Sequence, residues 1–283
     1  MRALLIALLD LILYSNLWIA VAAVGMAAQT QHLLLSRGEP TALLGFIFFA
    51  TLFLYAVHRI VGLRKSKPFQ EEGRYAVIAR FRSHIVFYAA MAGLCAGLFL
   101  LQMPFQLIAG LVAPCFLALL YVVPVWKGYR LRDLHYVKIF LIAITWTWIT
   151  VFLPALELGM AWSIPLYIML AERALFVFAI TIPFDIRDMD IDAFNRVKTL
   201  PAALGVRASQ RLAGISLLLM LLLVTLNYYW DVYSIGAYVA LVASACLSGL
   251  LVFLADRSRH DYYFTGAVDG MMVVQFLLVA FLG

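Results

Sequence analysis

Asp185-Ile186-Arg187-Asp188-Met189-Asp190-Ile191-Asp192-Ala193-Phe194-Asn195-Arg196-Val197-Lys198-Thr199-Leu200-Pro201 closes a long apolar run and decides how the rest of the chain is read. If a helix continues through it, Asp185, Asp188 and Asp192 fall at i, i+3 and i+7 on one face, and Asp190 points away. Three converging carboxylates repel one another unless a hard cation or a cationic ligand compensates them. Carboxylate oxygen is the ligand that Mg²⁺ prefers, usually together with substrate phosphates and water. The pattern reads as a metal–diphosphate site at a membrane surface.

The surroundings agree with a membrane. The chain has 283 residues, 65% of them hydrophobic and 13% charged, whereas a soluble domain is about 45–50% apolar and about 25% charged. This composition excludes an ordinary soluble enzyme and indicates a polytopic membrane protein. The formal charge of +6 reflects topology and an anionic ligand or leaflet, not nucleic acid. Cys95, Cys115 and Cys246 all fall inside apolar runs without metal-ligand spacing. They read as small buried hydrophobes, not as a disulfide framework or a zinc site.

Apolar stretches long enough to span the hydrocarbon core predict nine helices in one polytopic domain covering 1–283. They run over 3–28, 41–63, 83–101, 104–126, 136–155, 163–184, 211–230, 233–255 and 264–282. Eighteen of the 21 Lys and Arg residues lie in or beside the even-numbered loops, leaving Arg2, Arg37 and Arg173. The positive-inside rule then puts the N-terminus and the Asp-rich segment in the cytoplasm and the C-terminus outside a bacterial-type inner membrane.

These residues resemble the UbiA superfamily of intramembrane prenyltransferases. That family has nine transmembrane helices and two Asp-rich motifs, the second reading approximately D-x-x-D-x-x-x-D followed by T-L-P and L-G. Asp185, Asp188 and Asp192, then Thr199-Leu200-Pro201 and Leu204-Gly205, match it. Arg187 and Lys198 stand where the family often carries basic residues. Tyr121, Pro124, Lys127 and the later Lys138 resemble the 4–5 loop, where a Tyr and a Lys help hold the diphosphate. The resemblance implies an all-α bundle of nine helices around a central chamber. It also implies Mg²⁺ at Asp185, Asp188 and Asp192, which would be both metal ligands and catalytic groups. A prenyl diphosphate would be the donor, and a lipophilic acceptor, such as an aromatic quinone precursor, would be alkylated among membrane lipids.

The first Asp-rich motif is missing. Helix 2 should end in carboxylates, yet it reads Tyr55-Ala56-Val57-His58-Arg59-Ile60-Val61-Gly62-Leu63, and no Asp or Glu occurs between Glu39 and Glu71. Tyr55, His58, Arg59 and Gly62 share one face. Arg59 with His58 is therefore expected to bind the diphosphate directly, since a guanidinium offers bidentate hydrogen bonds to phosphate oxygens. The alternative is that Arg59 only snorkels to the headgroups.

Glu172 and Arg173 lie midway along helix 6, where charges are costly and face a cavity or a partner. Adjacent helical residues do not face each other, so each needs a partner on another helix. Arg173 is a candidate substrate contact at the polar end of the chamber or, alternatively, part of a structural interhelical ion pair, and Asn16 is a candidate acceptor contact. Asp10 and Asp269 raise the same question of partners. Two function classes follow: a transferase of alkyl groups other than methyl, and a catalytically degenerate isoprenoid- or lipid-binding homologue. A secondary transporter would need an inverted repeat or paired interrupted helices, and neither is visible.

Overall fold

A computed structural model describes residues 9–35, 38–65, 81–123 and 131–283. Lys127 and Pro124 lie outside the described residues, as do Arg2, Arg37, Lys67, Arg74, Arg80 and Arg130. All regular structure among the described residues is helical. Nine helices there are long and apolar enough to cross a membrane: α1 Leu17–Leu35, α2 Ala42–Lys65, α3 Arg82–Leu100, α4 Phe105–Val122, α5 Val137–Glu157, α6 Ile164–Arg187, α9 Val206–Tyr229, α10 Ile235–Phe253 and α11 Tyr263–Leu282. Two short helices, α7 Met189–Phe194 and α8 Leu200–Leu204, fill the connection between α6 and α9.

Local chemistry explains the ends. Ser163 accepts from the Leu166 amide at 3.4 Å and Pro165 sits in the first turn of α6, so both orphan amides and fixed φ favour a start there. Thr199 is extended, Pro201 occupies the first turn of α8, and Gly205 at φ 83° ends it before α9 begins. The T-L-P…L-G spacing is thus a one-turn helix with a stop.

Three departures from the sequence reading bear on the site. The first helix does not run unbroken over 3–28: helical turns over 9–14 break at Ser15-Asn16, with Asn16 at φ 67°, and α1 continues to Leu35. Asn is among the few side chains that tolerate the left-handed region. Helix 6 does not continue through the Asp-rich segment, because Asp188 (φ −90°, ψ 5°) separates α6 from α7. The α9 helix starts at Val206, so Arg207 and Arg211 lie on a helix and not in a loop. Cys115 and Cys246 are exposed on outer helix faces and are not buried hydrophobes.

The helices form a ring. Neighbours α1–α2, α1–α11, α11–α10, α10–α9, α9–α6 and α6–α5 pack along one another, while α3 lies outside against α2. Where α10 meets α11 there is no room for a side chain: a Cβ on Gly236 would lie 1.6 Å from the Leu282 carbonyl oxygen. Phe176, Ile182, Ile186 and Phe264 are fully buried inside the ring. Phe87, Phe105, Phe116, Leu218 and Leu222 are among the large apolar side chains exposed on the outside. Outward apolar surface on this scale suits lipid, because lipid-facing helices need satisfy only their own backbone.

Candidate active site

The ring encloses an open cavity of about 330 Å³, within the range of small-molecule sites. Its walls come from the turns before α1 and from α1, α2, α4, α5, α6, α7 and α11. The C-terminal ends of α2 and α6 and the N-terminal ends of α5 and α11 meet at one rim, where Arg59, Arg132, Lys138, Arg187, Asp188, Asp192 and Asp261 line the cavity. Nine or ten residues further along these helices, about 15 Å at the helical rise, the walls are Trp146, Val177 and Met272, with Trp18 and Tyr55 nearby. One end is charged; the other is apolar and aromatic.

The rim is built on Lys138. Tyr136 adopts φ 63° ahead of α5, and its amide donates to the Lys198 carbonyl at 2.9 Å, while the Lys198 amide donates to His135 Nδ1 at 3.0 Å. This clasp brings the first turn of α5 against the Asp-rich connection. The Lys138 ammonium then lies 2.8 Å from Asp185 Oδ1 and 3.2 Å from Asp192 Oδ2. Burial pushes the Asp192 carboxyl above the usual carboxylate range, and the Lys138 charge pulls it back.

Asp188 has a different partner. Arg187 Nε and Nη2 donate to its two oxygens at 2.8 and 3.3 Å, and Arg187 Nη1 donates to Asp261 at 2.8 Å. The guanidinium also lies 5.0 and 5.4 Å from the ring centres of Phe184 and Phe264, a cation–π setting that fixes its plane. Asp190 points away, as the helical phase predicts, and meets Arg257 at 3.3 Å.

On the facing wall, Arg132 contacts His58 Nε2 and lies 5.4 Å from the Tyr121 ring centre, with His58 and Tyr121 rings 6.1 Å apart. Arg59 donates to the Tyr14 carbonyl and, at 3.4 Å, to that of Leu13. It therefore caps the helical turns that Asn16 interrupts, and it lines the cavity. Asn16 also lines the cavity and donates to the Tyr88 hydroxyl at 3.3 Å. Tyr262 donates to Asp10, and that bond pushes the Tyr262 phenol up to about 12.

The structure thus brings Asn16, His58, Arg59, Tyr121, Lys138, Arg187, Asp188 and Asp192 together around one cavity. Asp185 sits behind Lys138, 1% exposed. The Lys198 side chain is exposed and away from the cavity; its backbone, not its charge, serves the site. Arg173 does not reach the cavity. It is buried behind the wall, donating to the Met26 carbonyl at 2.8 Å and Thr150 Oγ1 at 3.0 Å.

Sequence reasoning left out Arg132, Asp261 and Asp269 as cavity residues. For Asp261 and Asp269 the signal was hidden. Eight residues are out of phase on a regular α-helix, but the wider π turns over Tyr263–Val268 carry Asp261, Thr265 and Asp269 onto the cavity face.

The carboxylates are the right chemistry for Mg²⁺, but their arrangement does not fit a cage for it. Among the described residues no three Asp, Glu, His or Cys side chains converge on a common point. The Lys138 ammonium fills the gap between Asp185 and Asp192.

No known family's sequence pattern matches the chain. No curated protein matches it either. Solved structures do. A UbiA homolog from Archaeoglobus fulgidus bound to GPP and Mg²⁺ aligns over 94% of this chain and 96% of its own, with a TM-score of 0.64 at 11% identity. The chain has a UbiA-type fold. A UbiA homolog from Archaeoglobus fulgidus bound to DMAPP and Mg²⁺ aligns over 95% of this chain and 96% of its own at a TM-score of 0.61 and 10% identity. A structure concerned with digeranylgeranylglyceryl phosphate synthase in membranes aligns over 96% and 98% at 0.56 and 15%. With nine apolar helices among the described residues, this UbiA-type bundle is an integral membrane protein.

Proposed function

We propose that the chain is a membrane prenyltransferase, moving a prenyl group from a prenyl diphosphate to a lipophilic acceptor. The observation that carries this reading is a single cavity with a cationic, carboxylate-braced rim and an apolar, aromatic interior. A prenyl diphosphate has the same division. Its tail matches Trp18, Tyr55, Trp146 and Met272, and its leaving group matches Arg132, Lys138 and Arg187. Fixed cations at the rim would stabilise the charge that develops on the departing diphosphate. The apolar walls would keep water from the allylic carbon as it becomes electrophilic. By the charge distribution of the loops, the rim faces the cytoplasm, with the N-terminus on that side and the C-terminus outside.

The test is pyrophosphate release from geranyl, farnesyl and geranylgeranyl diphosphate by purified protein supplied with a native lipid extract, with and without Mg²⁺. Asp188→Ala, which removes one of the two carboxylates that orient the Arg187 guanidinium, is expected to lower release at least about a hundredfold. Release that survives in Asp188→Ala would place the chemistry elsewhere. A second reading, an isoprenoid-binding protein without transfer, is favoured by the loss of carboxylates from α2. It predicts prenyl-diphosphate binding with no pyrophosphate released under any condition.

Arg59 has both a structural and a ligand-facing aspect. Arg59→Gln is expected to weaken prenyl-diphosphate binding about ten- to hundredfold, measured by calorimetry. Unchanged affinity would confine Arg59 to capping the 9–14 turns.

A further inference from the structure

Every carboxylate of the Asp-rich segment that lies at the rim already has a cation supplied by the protein. Lys138 Nζ stands 2.8 Å from Asp185 and 3.2 Å from Asp192, and the three side chains are 2–8% exposed. Mg²⁺ needs oxygen ligands at about 2.0–2.1 Å in a near-octahedral shell. An ammonium wedged between the two carboxylates occupies the gap where such an ion would sit, and like charge keeps the two apart. Asp188 is taken up by two bonds from Arg187.

Among the described residues the facing wall offers no replacement, since the end of α2 presents His58, Arg59 and Gly62 to the cavity. Charge balance points the same way. A site that holds divalent ions on carboxylates needs a surplus of negative charge. Among the described residues, four basic side chains (Arg59, Arg132, Lys138, Arg187) line the cavity with four acidic ones.

Accepting that the ligand is a prenyl diphosphate, we propose that this cavity binds it metal-free, through Lys138, Arg187, Arg132 and Arg59, with Lys138 taking the place of a carboxylate-held cation. The ligand class is an organic diphosphate carrying no divalent ion. Lys138 is both the counter-ion that keeps Asp185 and Asp192 together and a donor to the phosphate oxygens. Guanidinium groups add the bidentate donors that suit phosphate geometry.

The experiment uses the full chain in lipid nanodiscs and a non-cleavable thiolo analogue of geranyl diphosphate, titrated calorimetrically in Mg²⁺ and in EDTA. The expected result is a dissociation constant that changes by less than about threefold between the two conditions. In parallel, Mn²⁺ added to the ligand-free protein is expected to show no bound-ion signal by electron paramagnetic resonance. Lys138→Met, which leaves Asp185 and Asp192 facing an open gap, is expected to make analogue binding at least about tenfold dependent on Mg²⁺. Lys138→Arg keeps the charge and is expected to keep the metal independence, which covers the case in which the methionine variant fails to fold. Binding by the wild type only in Mg²⁺, or a stoichiometric bound Mn²⁺, overturns the proposal while the transferase reading stands. Binding in neither condition overturns the transferase reading and this proposal with it.

Discussion

Arg187→Met is expected to lower pyrophosphate release about a hundred- to a thousandfold, with a smaller change in analogue binding. Arg187 joins three parts of the rim: Asp188 at the break after α6, Asp261 before α11, and the Phe184–Phe264 aromatic pair, whose ring centres are 6.2 Å apart. On the proposed reading, losing the guanidinium removes a fixed positive charge from the place where a leaving diphosphate would gather negative charge. It also unties α6 from α11 and leaves two carboxylates without their shared partner. Preorganisation, more than charge alone, is what the substitution removes. Arg187→Lys is therefore expected to recover only part of the rate, because an ammonium cannot donate to Asp188 and Asp261 in the same fixed plane. Steady-state release assays on the three proteins, alongside analogue titrations, separate the effect on rate from the effect on binding. A rate for Arg187→Met within about tenfold of the wild type would remove Arg187 from the reacting end of the cavity.

Much of this architecture is written in local patterns, and what is not is tertiary. Apolar runs bounded by basic clusters mark nine spans because the bilayer fixes their length. The T-L-P…L-G stretch is legible because Pro201 favours a helix start and Gly205 a stop. Helical phase alone placed Asp190 away from the other carboxylates, and Arg257 does meet it there. It also required separate partners for Glu172 and Arg173, and these are found on different helices. The same phase argument failed at Asp188, because a single non-helical residue rotates Asp192 relative to Asp185. What brings those two back together is Lys138, 47 and 54 positions away in sequence. No spacing rule carries that information. The π turns over Tyr263–Val268 are a second blind spot, since no local pattern marks them; the Trp18 indole, 248 positions away, donates to Gly266 within them at 3.1 Å. Arg59 shows the third kind of limit. Its type and phase announced a cavity cation, but its bonds to the Leu13 and Tyr14 carbonyls depend on a helix break that the apolar run hides.

The pair at the middle of α6 carries the largest expected effect on stability. Arg173→Met is expected to cost about 3–5 kcal/mol, read from thermal unfolding in detergent with and without lipid. Glu172 accepts from Asn227 at 2.9 Å and from the Tyr233 hydroxyl at 2.7 Å, tying α6 to α9 and to the turn before α10. Arg173 reaches the opposite way, to the Met26 carbonyl on α1 and Thr150 on α5, where Thr30 also donates to the Thr150 carbonyl at 2.7 Å. Both residues are 4% exposed. Neighbours on one helix do not bond to each other, yet their opposite charges compensate across a short distance in a low dielectric. Removing Arg173 thus does two things: it takes a donor away from acceptors on α1 and α5, and it strands the Glu172 charge. Ordinary hydrogen bonds between membrane helices average only about 0.6 kcal/mol, so the stranded charge has to supply most of the loss. That assignment has a distinct consequence. Glu172→Gln in the Arg173→Met background should restore stability, because it neutralises the charge while an amide can still accept from Tyr233. The double variant is expected to be more stable than Arg173→Met alone, a coupling of about 1–3 kcal/mol. Strict additivity of the two substitutions would mean that the hydrogen bonds alone, and not the compensating charges, hold the centre of α6 in place.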